Sequence, residues 1–205
     1  SDAGNSEYDI RKKMIEEGII SQMVTLPSNM FTSVTLPATL WFFDKAKANT
    51  ERKDEILFID ARNVFTQVDR AHRKFSEEQI KNLGIISRLY EGDKQAFIDL
   101  IEEYKVAIAN APEIAESKET KTKAYYQSQI DWLNEKFPNG EYKDVIGLCN
   151  VAKLKGEDGI EDQDYSLNAG RYVGVVIEDD GLTEEEFKAE MLSLNSEKEK
   201  LNAEA

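Results

Sequence analysis

The pattern of apolar and polar positions changes character near residue 61. Ahead of that point, short apolar runs alternate with turn formers; beyond it, apolar residues recur at the three- and four-residue spacing of amphipathic helices. Ser6 followed by Asp9 resembles a capping box, Ile10 and Met14 share a helical face, and Gly18 suits a left-handed C-terminal position, so a helix is predicted over about 7–17. The β-branched and apolar run from Ile19 to Leu26 stops at Pro27 and reads as a strand. ATLWFFDKA has the pattern of a second, buried strand that ends where charge returns at Asp44 and Lys45, and Ile56 to Ile59 within EILFIDA forms a third. The first two strands bracket the turn-rich segment Pro27 to Pro37. One helix cannot cover three strands that are apolar on both faces, so residues 1–61 are expected to form the edge of a larger α/β sheet.

The remainder, 62–205, reads as mainly helical. Ser76 and Gln79 make a capping box ahead of Ile80, Leu83, Ile86 and Leu89, and Asp93 caps a run carrying Phe97, Leu100, Ile101, Tyr104 and Ile108 that Pro112 closes. A third helix is expected from about 118 to 136 with Tyr125, Gln129, Trp132 and Leu133, followed by a turn at PNGEY. One short strand is expected around Leu148 to Ala152 between long loops. Thr183 and Glu186 box a terminal helix over 183–205, in which Phe187, Met191, Leu194 and Leu201 run at helical spacing, a stripe that either binds a partner or packs on this chain's own helices.

Charge narrows the possible functions. Asp and Glu number 40 against 26 Lys and Arg, a net charge of −14, which repels a phosphate backbone over most of the surface. No apolar run reaches the roughly 18 residues of a membrane helix, and SDAGNSEYD lacks the basic start and apolar stretch of a signal peptide, so a cytoplasmic protein without membrane contact is expected. A single cysteine and a single histidine exclude an internal disulfide and a Cys/His zinc site, and no metal is expected. The eleven glycines include neither GxG nor GxxxxGK, and there is no GxSxG elbow. His72, set among charges in DRAHRKF, reads as a solvated or salt-bridged side chain, and Cys149 as a buried thiol. GEDGIEDQD lacks the order of a calcium loop and reads as a solvated loop, while the GxxxG of Gly170 and Gly174 has no membrane meaning in its polar setting.

The remaining candidate is LPSNMFTSVTLP, where Phe31 sits among Ser28, Asn29, Thr32, Ser33 and Thr35 between two prolines. Such a loop offers a flat apolar face with hydrogen-bonding groups, as a nucleobase pocket requires. The alternative is a plain connection whose Phe packs into the core.

IRKKMIEEGIISQMVTLPSNMFTSVTLPATLWFFDKAK, EILFIDARNVFTQVDRAHRKFSEEQI and DYSLNAGRYVG resemble the C-terminal part of the modification (methyltransferase) subunit of type I restriction-modification systems, which belongs to the N6-adenine DNA methylases. The resemblance covers most of 7–89 and about 142–195, and 93–138 looks like a helical insertion beyond the family pattern. It implies a Rossmann-like methyltransferase sheet, contributed here by about three strands, followed by a helical region. It implies S-adenosylmethionine as cofactor of the complete subunit but none for this segment, because the glycine-rich and Asn-Pro-Pro-aromatic motifs lie upstream in the family, leaving no catalytic residue here. It places Phe31 against the target adenine, with Asn29 and Thr35 beside it. It makes Phe187, Met191, Leu194 and Leu201 a docking face for the DNA-specificity subunit, with the restriction subunit in the same assembly and DNA reached only through it. The competing reading is an acidic, helix-rich protein-interaction module without catalysis.

Overall fold

Two of the predicted apolar runs become strands buried on both faces, β1 (Ile20–Thr25) and β3 (Glu55–Asp60), which lie parallel at the centre of a four-stranded mixed sheet. In the computed structural model, residues 2–31, 34–117 and 119–175 are described. The sheet order is β2-β1-β3-β6, in which β2 (Thr39–Phe43) and β6 (Cys149–Lys153) are antiparallel edges. The sheet thus has one more strand than the three expected, because the short apolar run near Cys149 returns from far along the chain to pair with β3. That pairing is non-local and leaves no mark in a sequence window.

The helix α1 (Asp2–Glu16) begins earlier than predicted, so Ser6 lies within it rather than ahead of it. Its end matches the prediction. Gly18, at φ +70°, donates to Ile15 O at 2.9 Å while Ile19 donates to Met14 O at 3.3 Å, the double closure of a Schellman turn. A Cβ on Gly18 would stand 2.7 Å from Lys53 Cγ, which adds a steric reason for glycine here.

One face of the sheet is covered by α2 (Glu77–Tyr90), α3 (Lys94–Asn110) and α4 (Lys123–Lys136), whose Leu83, Ile86, Leu100, Tyr104 and Leu133 pack with Leu57 and Ile59. The Ser76/Gln79 capping box forms, and Asp93 accepts from Ala96 N–H at 3.1 Å. Ile80, placed in the buried stripe by spacing, is 58% exposed, and Ile85 takes its place in the core. The helix expected from about 118 starts at Lys123, because Thr122 accepts from Tyr125 N–H and caps it there. The stretch 93–138 that looked like an insertion shares this core with the sheet, through Phe97, Tyr104, Leu133 and Phe137.

The other face is covered by α1 and by loop residues Ile160, Tyr165, Leu167 and Val173. GEDGIEDQD is therefore not simply solvated, since its Ile160 is fully buried against Phe58 and its neighbours. Cys149 is buried as expected, and desolvation pushes its thiol up to about 11, so it is protonated at neutral pH. Among the described residues no helix is long and apolar enough to cross a membrane. Phe187, Met191, Leu194 and Leu201, the predicted docking face, lie outside the described residues.

The strand β2 departs most from expectation. It forms where predicted, but it is not buried: all five residues are exposed, Trp41 and Phe42 at 40% each. Among the described residues only β1 pairs with it.

Candidate base-binding loop and its hairpin support

Parallel β1 and β3 end side by side, and the chain leaves both at the same rim of the sheet. Ligands of open α/β sheets gather at such carboxyl ends, because loops there are free to vary over a fixed frame. From β1 the chain enters Leu26, buried Pro27 and the loop that holds Asn29 and Phe31. From β3 it enters Asp60, Ala61 and Arg62, with Ala61 N–H bonded to Thr25 O at 2.9 Å so that the two exits are locked together. Buried Asp60 accepts from Arg62 Nε at 2.8 and 3.0 Å, a two-pronged pair that neutralises its carboxylate at the rim.

Asn29 adopts φ +60°, a left-handed conformation that asparagine tolerates better than most residues, and the chain turns there. Phe31 follows at 49% exposure, which rules out the core packing that was its alternative. Phe31 and Val34 form a bridge closed by Val34 N–H to Phe31 O at 3.2 Å, and Thr35 is exposed beyond it. The structure therefore brings Asn29, Phe31 and Thr35 into one loop at the rim, with the aromatic ring accessible.

What holds this loop is a side chain that motif reading passed over. Two short strands, β4 (Thr66–Gln67) and β5 (Arg73–Lys74), form a hairpin after β3. Arg73 N–H donates to Asn29 O at 2.9 Å, and its Nη1 donates to Ser28 Oγ at 2.9 Å. Its guanidinium also lies 4.0 Å over the Phe65 ring, a cation–π contact that fixes the side chain from the other side. The hairpin turn is tied by Asp69, which accepts from Ala71 N–H at 2.7 Å and His72 N–H at 2.9 Å; these bonds, with His72 beside it, hold the carboxyl below the ordinary carboxylate range. His72 Nδ1 sits 2.8 Å from that carboxylate, the salt-bridged role its charged neighbours suggested. The signal for Arg73 in the sequence was the basic run DRAHRK within an acidic chain.

Neither the β1 exit nor the β3 exit contains a glycine before the next element, so the sequence of these turns lacks the glycine-rich pattern of a phosphate-cradling loop.

Comparison with known proteins places the chain. The N-6 DNA methylase family model matches residues 2–98. The methylase subunit of the type I restriction enzyme MjaIX from Methanocaldococcus jannaschii is 31% identical over 97% of this chain. Residues 2–98 belong to the N-6 DNA methylase family. The methylase subunit of the HindI type I enzyme from Haemophilus influenzae is 28% identical over 87% of the chain. The chain spans 28% and 29% of the lengths of these two relatives, so it corresponds to less than a third of each methylase. A solved type I methyltransferase subunit from Streptococcus thermophilus aligns over 82% of this chain and 23% of its own, with a TM-score of 0.46 and 21% identity. The family match covers α1, β1, β2, β3, the rim loop, the basic hairpin and α2.

Proposed function

We propose that the chain is the C-terminal part of a type I modification subunit, an enzyme that transfers a methyl group from S-adenosylmethionine to N6 of adenine in DNA. In this reading, residues 1–61 complete one end of the catalytic Rossmann-like sheet and supply a wall of the adenine pocket. Residues 62–205 form the helical C-terminal region, in which 183–205 docks the DNA-specificity subunit, with the restriction subunit in the same assembly.

The observation that supports it most is the bare apolar edge of β2. Leu26 N–H donates to Ala38 O at 2.8 Å, and the register pairs Thr25 with Thr39 and Met23 with Trp41. Bonded and non-bonded pairs alternate in an antiparallel ladder, so Thr39 and Trp41 aim their N–H and C=O groups away from β1. An exposed edge carrying Leu40, Trp41, Phe42 and Phe43 would template aggregation in a free-standing domain, whereas a sheet that continues past β2 uses those groups for the next strand. Beside it lies an apolar hollow of about 450 Å³ between α1 and the sheet, lined by Ile10, Met14, Met23 and Trp41, with room for side chains of a covering element.

The residues of this chain bind and orient rather than react. Phe31 stacks on the extruded adenine, and Asn29 and Thr35 offer polar groups at its edge. S-adenosylmethionine donates the methyl group, and because the turns here offer no glycine cradle it is held by the remainder of the subunit.

Amide hydrogen exchange on the complete subunit tests the sheet-edge claim. The Thr39 and Trp41 amides are expected to be protected as strongly as those of buried Leu57, since they bond to a neighbouring strand. Rapid exchange at both, as on a bare edge, would contradict this role for β2.

A further inference from the structure

The β4–β5 hairpin carries an electrostatic anomaly. Residues 61–76 hold four cations, Arg62, Arg70, Arg73 and Lys74, against the single acid Asp69, a local charge of +3 in a chain whose net charge is −14. The bordering acids are already matched: Asp60 with Arg62, Glu77 with Lys81, and Glu78 with Lys121. Asp69 is occupied by His72 and its own turn. Among the described residues no carboxylate lies within ion-pair distance of Arg70, Arg73 or Lys74, and Arg70 and Lys74 are exposed. Lys81, by contrast, bridges Glu77 and Glu103, whereas Arg70, Arg73 and Lys74 stand within five residues of chain with no such acid.

We infer that this hairpin is a phosphate clamp: Arg70 and Lys74 bind backbone phosphates of duplex DNA next to the extruded adenine, while Arg73 couples the clamp to the Phe31 loop. The inference rests on the proposed function and extends it to residues outside the base pocket. Three observations converge on it. The unmatched cations are complementary to a polyanion, which a chain this acidic otherwise repels over most of its surface. They stand on a two-stranded ribbon whose turn is fixed by Asp69, so little ordering is needed on binding. And the ribbon is bonded through Arg73 to Ser28 and Asn29, three and two residues before Phe31. In this proposal a nucleotide whose base lies on Phe31 presents its flanking phosphates to that ribbon. Phosphate contacts carry no sequence information; they set register. The clamp therefore fits a subunit that reads no sequence itself and must still hold the strand while its base is out of the stack.

The test is DNA affinity of the complete enzyme as a function of salt, comparing wild type with the double variant Arg70→Gln/Lys74→Gln. Arg73 is left intact so that the Phe31 loop keeps its support. Loss of two phosphate contacts reduces the slope of log affinity against log salt by about 2 and weakens binding to cognate and non-cognate duplexes alike. The variant Lys105→Gln, on the exposed face of α3, controls for charge alone and is expected to leave the slope unchanged. An unchanged slope in a folded, assembled double variant overturns the clamp. So does a variant that loses a protein subunit while the DNA slope of the remainder stays the same, since the cations would then face a protein partner. If Phe31→Ala slows methylation while the double variant binds as wild type, the clamp alone falls; if the complete enzyme methylates no adenine, the functional reading falls and the clamp with it.

Discussion

On the proposed function, Phe31→Ala in the complete subunit is expected to slow single-turnover methylation by about tenfold to a hundredfold, with the melting temperature and S-adenosylmethionine affinity unchanged. The size follows from stacking, worth about 1–3 kcal/mol per base by alanine substitution, and from roughly 1.4 kcal/mol per tenfold in rate. Extruding a base costs a few kcal/mol, and an aromatic at the pocket wall offsets part of it. Because Phe31 is half exposed and the loop is anchored by Arg73 at Ser28 and Asn29, removing the ring takes away the proposed binding face without opening the core. Phe31→Trp, which keeps a stacking face, is expected to retain much more activity. A Phe31→Ala enzyme that loses stability together with activity would mean the ring supports the fold, and one that methylates normally would remove Phe31 from the pocket.

The second large effect concerns the helical region. Phe137 ends α4, is fully buried, and stacks on Tyr142 with ring centres 6.4 Å apart. It belongs to the same core as Leu57 and Ile59 of β3, so the 93–138 stretch is built into the support of the rim rather than appended to it. Phe137→Ala is expected to destabilise the protein by about 3–5 kcal/mol, the cost of truncating a buried phenylalanine, of the same order as a whole domain's stability margin. Urea unfolding measures this directly. A loss under about 1 kcal/mol would show that the helices pack on the sheet without sharing its stability.

Much of this architecture is legible in short windows because the forces that set it are local. Ser76 and Gln79 satisfy each other's backbone within one turn, Asp93 caps α3 in the same way, and Gly18 closes α1 at a positive φ that few other residues adopt cheaply. The central strands declare themselves by being apolar on both faces. What eluded the sequence depends on distant partners. The β2 run of Leu40 to Phe43 has the composition of a buried strand, yet all of it is exposed, and composition alone does not say which neighbours a strand will have. Pairing of β6 with β3 spans about ninety residues, and burial of Ile160 depends on where its loop lands on the sheet. The site divides along the same line. Phe31 and its polar neighbours stand out by composition, whereas the bond from Arg73 to Asn29 joins segments 44 residues apart, and its only trace was a basic run where acid prevails.

The most direct test of the account is photocrosslinking of the complete enzyme to duplex DNA that carries 5-iodouracil in place of the target adenine. An extruded base stacked on Phe31 places the activated carbon against that ring, so mass spectrometry of the tryptic peptides is expected to find the adduct on Phe31, with the yield falling in Phe31→Ala. An adduct confined to residues outside Pro27–Pro37, with the Phe31 peptide unmodified in an enzyme that still methylates, would contradict it.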